Sequence, residues 1–178
     1  MLRQRGAEYV DADRIVHDLL GPGGAAVEPV LHRFGTHLRD PSGGVDRKRL
    51  GNIVFHDAFA LRDLEAMLHP SVRTEIRRRA AGTPAHVLVV DAIKLIEGGL
   101  FRDCDVVWVV TCPPELQLER LTQQRGLSRA EAEARIAAQP DQASRLPLAR
   151  VVLDNGSDLV SLERQVQLAW GTLPVSRS

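Results

Sequence analysis

The stretch HVLVVDAIKLIEGGLF, residues 86–101, decides which fold class this chain can adopt. Val87, Leu88, Val89 and Val90 form an apolar run that stops at Asp91, the pattern of a parallel strand buried on both faces and ending at a polar site. In open α/β sheets ligands collect outside the carboxyl ends of the strands, so Asp91, Lys94 and Glu97, with Gly98 and Gly99, fall where a ligand would bind. On this stretch alone, a strand followed by an ordinary solvated turn stays open as the alternative.

Toward the N-terminus, residues 1–6 read as the tail of a helix closed by Gly6, and residues 7–10 as a short strand running into Asp11-Ala12-Asp13. Ile15, Val16, Leu19 and Leu20 follow at the spacing of one helical face, which puts both aspartates at a strand-to-helix junction. One carboxylate can cap the helix while the other points into the crevice; the alternative is that both only cap. Gly21-Pro22-Gly23-Gly24 breaks the helix, and residues 25–34 form the next, with Val27, Val30, Leu31 and Phe34 on one side. A turn-rich loop over 37–46 leads to a helix with Leu50, Ile53, Val54 and Phe55 inward. Leu61, Leu64, Met67 and Leu68 continue the pattern to His69-Pro70, where proline is expected to end one helix and begin another. Arg73, Arg77, Arg78 and Arg79 beyond it read either as a solvated face or as an anion-binding edge. A helical block this long between two strands exceeds a simple crossover and predicts a helical substrate region over about 21–85.

Toward the C-terminus, DVVWVV at 105–110 is a second buried strand, and residues 113–125 form a helix with proline in its first turn. Ser128-Arg129-Ala130-Glu131 is a capping box that starts a helix running to Ala138. Arg120, Arg125, Arg129, Arg135 and Arg145 stud this polar hairpin, a composition suited to a flap that folds over a polyphosphate, or else to surface pairing with Glu131 and Glu133. That region, about 113–147, is the expected lid. Residues 151–154 are the last strand, Asn155-Gly156 turns the chain, residues 159–170 form a closing amphipathic helix, and the tail from 174 is expected to be loose. The sum is a single α/β domain over 1–178, three-layered, with a mostly parallel sheet.

Composition narrows the function. Twenty-three basic residues balance 23 acidic ones, so no global field recruits nucleic acid or an anionic membrane. Cys104 and Cys112 are too few for a disulfide framework and lack CxxC spacing, which fits small buried thiols in a reducing cytoplasm. No apolar run approaches the ~20 residues of a membrane span, and the first residues lack a signal peptide's apolar core. The six histidines form no HExxH or paired Cys/His pattern, so no metal ligand is assigned.

Taken together, Asp11-Ala12-Asp13 after a short strand, Leu68-His69-Pro70, the run from Asp91 to Glu97 with Gly99-Leu100-Phe101, the run from Glu115 to Arg120, Arg135 with Gln139, and Asp154-Asn155-Gly156 stand in an order that resembles the dephospho-CoA kinases. The resemblance extends from Met1 to about Trp170. It implies a P-loop-kinase-like fold with core, helical substrate subdomain and helical lid, transferring the γ-phosphoryl group of ATP to the ribose 3′-hydroxyl of dephospho-CoA, the last step of coenzyme A synthesis, with Mg2+. By the same resemblance Asp13 is the catalytic carboxylate with Asp11 in support; His69, Lys94 and Glu97 face the substrate; Arg120, Arg125 and Arg135 are lid residues that contact phosphates; and Asn155 belongs to the turn that holds the adenine. Ala92 and Ile93 depart from a commoner proline-containing form, which bears on the local loop.

The family begins with a strand and a GxxxxGK[ST] loop, whose backbone N–H groups and lysine cradle phosphates. These 178 residues contain no such motif, and Gly21-Pro22-Gly23-Gly24 has no Lys-Ser/Thr after it. The expectation is therefore an N-terminally truncated member, with Met1 inside the first helix, a strand missing from the sheet, and weak ATP binding and slow turnover. Two further readings stand beside it: a non-catalytic protein that holds dephospho-CoA or a partner chain, and a kinase of another nucleoside or nucleotide.

Overall fold

The computed structural model describes residues 1–139 and 141–174. They gather into two compact units, residues 6–92 and residues 1–5 with the described residues from Ile93 onward. In the first unit, strand β1 (Glu8–Asp11) is followed by helices α1 (Ala12–Leu20), α2 (Val27–Phe34), α3 (Arg47–His56) and α4 (Ala58–Gly82), then strand β2 (Leu88–Asp91). β1 and β2 pair in parallel, with Glu8 opposite Leu88 and Asp11 opposite Asp91. The long helical crossover is what a parallel pair requires.

Helix starts follow the capping chemistry of the sequence. Asp46 accepts from the Lys48 and Arg49 N–H groups at the head of α3, and Asp57 from Phe59 and Ala60 at the head of α4. Gly24 is needed for space, because a Cβ there would collide with the Leu19 carbonyl. Leu20, Val27, Val30, Leu31, Leu38, Val45, Leu50, Val54, Leu64 and Leu68 close into one apolar core.

Three expectations are corrected in this unit. α4 runs straight through Pro70 instead of breaking there. Its buried stripe of Leu64, Leu68, Val72 and Ile76 crosses the proline at i+4 spacing. Four such side chains, each contributing roughly 1.5–3 kcal/mol on burial, outweigh a proline cost of about 3 kcal/mol. Phe55 faces outward, 78% exposed, because α3 buries only Leu50 and Val54. β2 is half-buried, not buried on both faces, since among the described residues β1 is its only paired neighbour and one edge stays open.

In the second unit a 3₁₀ turn, Leu100–Asp103, leads to strand β3 (Trp108–Thr111), helices α5 (Pro114–Gln123), α6 (Arg129–Ala137) and α7 (Gln142–Arg145), strand β4 (Val151–Asp154) and helix α8 (Leu159–Trp170). β3 starts later than predicted and pairs in parallel with β4, Trp108 opposite Val151 and Thr111 opposite Asp154. Leu153 packs on Val166 and Ala169 of α8, with Leu2 from the N-terminal turn against the same cluster. The predicted capping box closes in full: the Ser128 hydroxyl accepts from the Glu131 N–H and the Glu131 carboxylate accepts from the Ser128 N–H. The parallel pairing is as expected, but among the described residues it divides into two two-stranded sheets. Of the tail, residues from 175 onward lie outside the described residues.

Candidate active site

β1 and β2 both end in aspartate, and their register sets Asp11 opposite Asp91. Asp11 caps α1, its Oδ1 accepting from the Arg14 N–H at 3.1 Å, so this carboxylate is already committed. The Tyr9 hydroxyl, two residues back along β1, donates to Asp91 Oδ2 at 2.7 Å. Asp13, in the first turn of α1, has no capping duty. Partial burial of its carboxyl, then the negative charges of Asp11 and Asp91, raise its pKa above the usual 3.8, although the residue keeps solvent access. A helix N-terminus would favour the ionised form; here desolvation and two like charges prevail. Of the three, Asp13 is the carboxylate best suited to take a proton. His69 lies half-buried on α4 in the same unit.

The second unit carries the other predicted residues. Asn155 opens the turn after β4, its N–H donating to the Thr111 carbonyl at 2.8 Å. Arg120, from α5, donates through Nη1 to the Asn155 carbonyl at 2.9 Å and to Cys112 Sγ at 3.5 Å. Asp154 Oδ1 accepts from Gly156 N–H at 2.7 Å, and Gln165 clasps the Asp154 backbone at both its N–H and its carbonyl. A Cβ at Gly156 would lie 2.9 Å from Asp154 Oδ1, so a larger residue there would displace the carboxylate that accepts from the Gly156 N–H. Arg120 and Asn155 are thus brought together, with Arg120 building the turn.

Arg129 pairs with Glu133 at 2.7 Å, whereas Arg125 and Arg135 are exposed and have no ion-pair partner among the described residues. They are the cations of the hairpin left available to an anion. Lys94 and Glu97 sit in the loop after β2. Burial pushes the Glu97 carboxyl up, but the hydrogen bond from Arg145 and the charges of Arg145 and Lys94 more than offset it, leaving the pKa lowered. Tyr9 and Gln165 were not singled out in the sequence, whereas Asp91 was placed at the ligand end of its strand and Arg145 on the flap, without the partners that the structure gives them. Asp91 was legible, since two strands ending in aspartate put two carboxylates at the same end of a parallel pair.

No metal cage accompanies the carboxylates: among the described residues no group of three His, Cys, Asp or Glu side chains is placed to hold an ion. No helix of the described residues is long and apolar enough to cross a membrane.

The crystal structure of a Thermus thermophilus protein matches at TM-score 0.80 and 28% identity, covering 97% of this chain and 88% of that one. Dephospho-CoA kinase from Campylobacter jejuni matches at TM-score 0.64 and 26% identity, covering 94% and 86%. The chain is therefore an α/β protein of P-loop-kinase-like fold. The family model described as dephospho-CoA kinase matches residues 1–161. Dephospho-CoA kinases of Symbiobacterium thermophilum and Streptomyces avermitilis are 44% and 39% identical, over 96% and 97% of this chain and 72% and 85% of theirs. The chain belongs to the dephospho-CoA kinase family, a family of ATP-dependent kinases for which ATP is the co-substrate.

Proposed function

We propose that this chain transfers the γ-phosphoryl group of ATP to the ribose 3′-hydroxyl of dephospho-CoA, in the cytoplasm, with Asp13 as the carboxylate that orients the attacking hydroxyl and accepts its proton. The observation that carries this reading is the placement of Asp13 at the head of α1, where β1 and β2 end in Asp11 and Asp91, with Asp11 occupied as a cap and the Asp13 pKa raised by partial burial and its two acidic neighbours. Asp11 supports the reaction by fixing the head of the helix on which Asp13 sits. Phosphoryl transfer depends mainly on positioning and charge neutralisation. Arg125 and Arg135 are placed in the second role, as lid residues over the phosphates, with the lid at 113–147 and the helical substrate region at 21–85 of one domain spanning 1–178. Arg120 acts one step removed, holding the Asn155 turn against which the adenine rests. His69, Lys94 and Glu97 contact the acceptor.

Mg2+, brought with ATP, would supply neutralisation of the phosphate charge. The three aspartates do not form a cage for it: Asp11 and Asp91 already have partners in Arg14 and Tyr9. None of the 178 residues forms a GxxxxGK[ST] loop, and the proposal includes slowed turnover by these residues alone, for want of that cradle. The partners are dephospho-CoA and ATP, and not nucleic acid.

The test is ADP formation dependent on dephospho-CoA, with nucleoside monophosphates as competitors. Turnover that needs dephospho-CoA and resists competition is expected. Equal use of a nucleoside monophosphate would overturn the acceptor assignment. Tight binding of dephospho-CoA with no turnover, even in a chain supplied with a phosphate-binding loop, would mark a binding protein.

A further inference from the structure

Arg145 ends α7, a short helix capped by Asp141, whose side chain accepts from the Ala143 N–H. Its guanidinium reaches back 48 and 52 residues: Nε donates to Glu97 Oε1 at 2.8 Å and Nη2 to the Ile93 carbonyl at 2.7 Å. The Arg145 side chain is only 17% exposed and that of Glu97 31%, so the pair is shielded well beyond an ordinary surface ion pair. Inside the loop, Gly98 N–H donates to Lys94 O, Gly99 N–H to Ile96 O and Phe101 N–H to Leu95 O. Those local bonds shape the loop without saying where it sits. The two Arg145 bonds land on either side of Lys94 and tie the loop to the segment that leads into β4.

We infer that Arg145 is a positioning residue for the acceptor side of the reaction, clamping the loop at residues 92–99 so that Lys94 and Glu97 are presented in one fixed arrangement. The rigid planar fork of a guanidinium fixes the spacing and direction of its two acceptors, which a freely rotating ammonium on a flexible stem does not. The acceptor half of this inference rests on the proposed function, whereas the clamp itself does not.

The experiment compares Arg145→Gln, Arg145→Lys, Glu97→Gln and the double variant Arg145→Gln/Glu97→Gln in the whole chain, by amide hydrogen exchange and by calorimetric titration with dephospho-CoA and, separately, ATP. Arg145→Gln is expected to speed exchange at Gly98, Gly99 and Phe101 about tenfold while α8 amides keep their protection. It should weaken dephospho-CoA binding about tenfold and leave ATP binding unchanged. Arg145→Lys should fall between, and the double variant should be no worse than Arg145→Gln, because the two residues act as one unit. Unchanged exchange in the loop would overturn the clamp. A uniform rise across the unit, or an equal loss for both ligands, would reduce Arg145 to general stability and also overturn it. Absence of dephospho-CoA binding by the unsubstituted chain would count against the proposed acceptor, and the exchange pattern would then decide the clamp on its own.

Discussion

Each of the two units is ordered internally by a different means. In residues 6–92, Val10 and Val30 are fully buried, Leu31 and Leu38 are 1% exposed, and one apolar cluster joins α2, α3 and α4. In the second unit the cluster of Leu153, Val166 and Ala169 is small, while Leu159, Val160 and Leu168 of α8 are 69–71% exposed. There the β3–β4 ladder is supplemented by side chains that grip backbone: Arg120 on Asn155, Gln165 on Asp154, Arg145 on Ile93. Apolar packing is non-directional and tolerates no void, whereas a charged fork on a carbonyl fixes a loop at one point and releases it when the bond breaks. The first arrangement suits a rigid platform for the carboxylates, and the second is what the proposed lid, a region of loops that closes on a nucleotide, would require.

The largest effect should come from the platform's chemistry. Asp13→Asn is expected to lower kcat by about 10²–10⁴ with nucleotide binding nearly unchanged, read by steady-state kinetics beside an ATP titration. Wild-type turnover would remove Asp13 from the catalytic role. Leu31→Ala, inside the same platform, should cost about 2–5 kcal/mol in urea unfolding, and Leu168→Ala on the exposed face of α8 less than about 0.5 kcal/mol. Equal losses at the two leucines would break the contrast between the units.

Smaller changes sharpen it. Arg120→Gln removes charge-assisted bonds worth about 1.5–3 kcal/mol, and the KM for ATP should rise about tenfold while the unfolding midpoint of residues 6–92 stays put. Glu75→Gln should cost only about 0.5–1 kcal/mol, since its partners Arg78 and Arg79 are helical neighbours at i+3 and i+4. Hydrogen bonds from those arginines lower the Glu75 pKa from 4.5 to about 2. Its stabilisation is thus present above about pH 4.5 and lost as pH falls toward 2, and the variant should match the parent at the acid end of a pH series. Asp13 has the opposite sign. A carboxyl whose folded pKa is raised binds its proton more tightly in the folded state, so it subtracts stability at neutral pH and the cost is relieved in acid. Asp13→Asn should therefore gain stability at pH 7 while losing activity, and Asp91→Asn should move the acid limb of kcat to lower pH by removing a like charge.

Much of this was readable before any coordinates. Residues 151–154 and 159–170 were predicted to the residue, because a short apolar run and an amphipathic period bounded by Asn-Gly carry local signals strong enough to stand alone. The capping box at Ser128–Glu131 and an aspartate cap at the head of α1 were legible for the same reason: the partners lie within three residues. The break expected at Pro70 failed because a local preference was weighed without the buried stripe that crosses it. Site residues divide in the same way. Asp11 and Asp13 lie two residues apart and could be singled out together, whereas Asp91, whose charge acts on Asp13, lies 80 residues from Asp11, and Arg145 meets its acceptors across 48 and 52 residues.

By itself the sequence determined the order of strands and helical regions, the starts of the helices at 129 and 159, and the family, all set by short-range periodicity, capping chemistry and the order of motifs. Only the tertiary structure decided which carboxylate caps and which does not, which arginines are paired, and that among the described residues the parallel strands pair two and two. Those outcomes depend on register and desolvation, which arise when segments far apart in the chain exclude water from the same place.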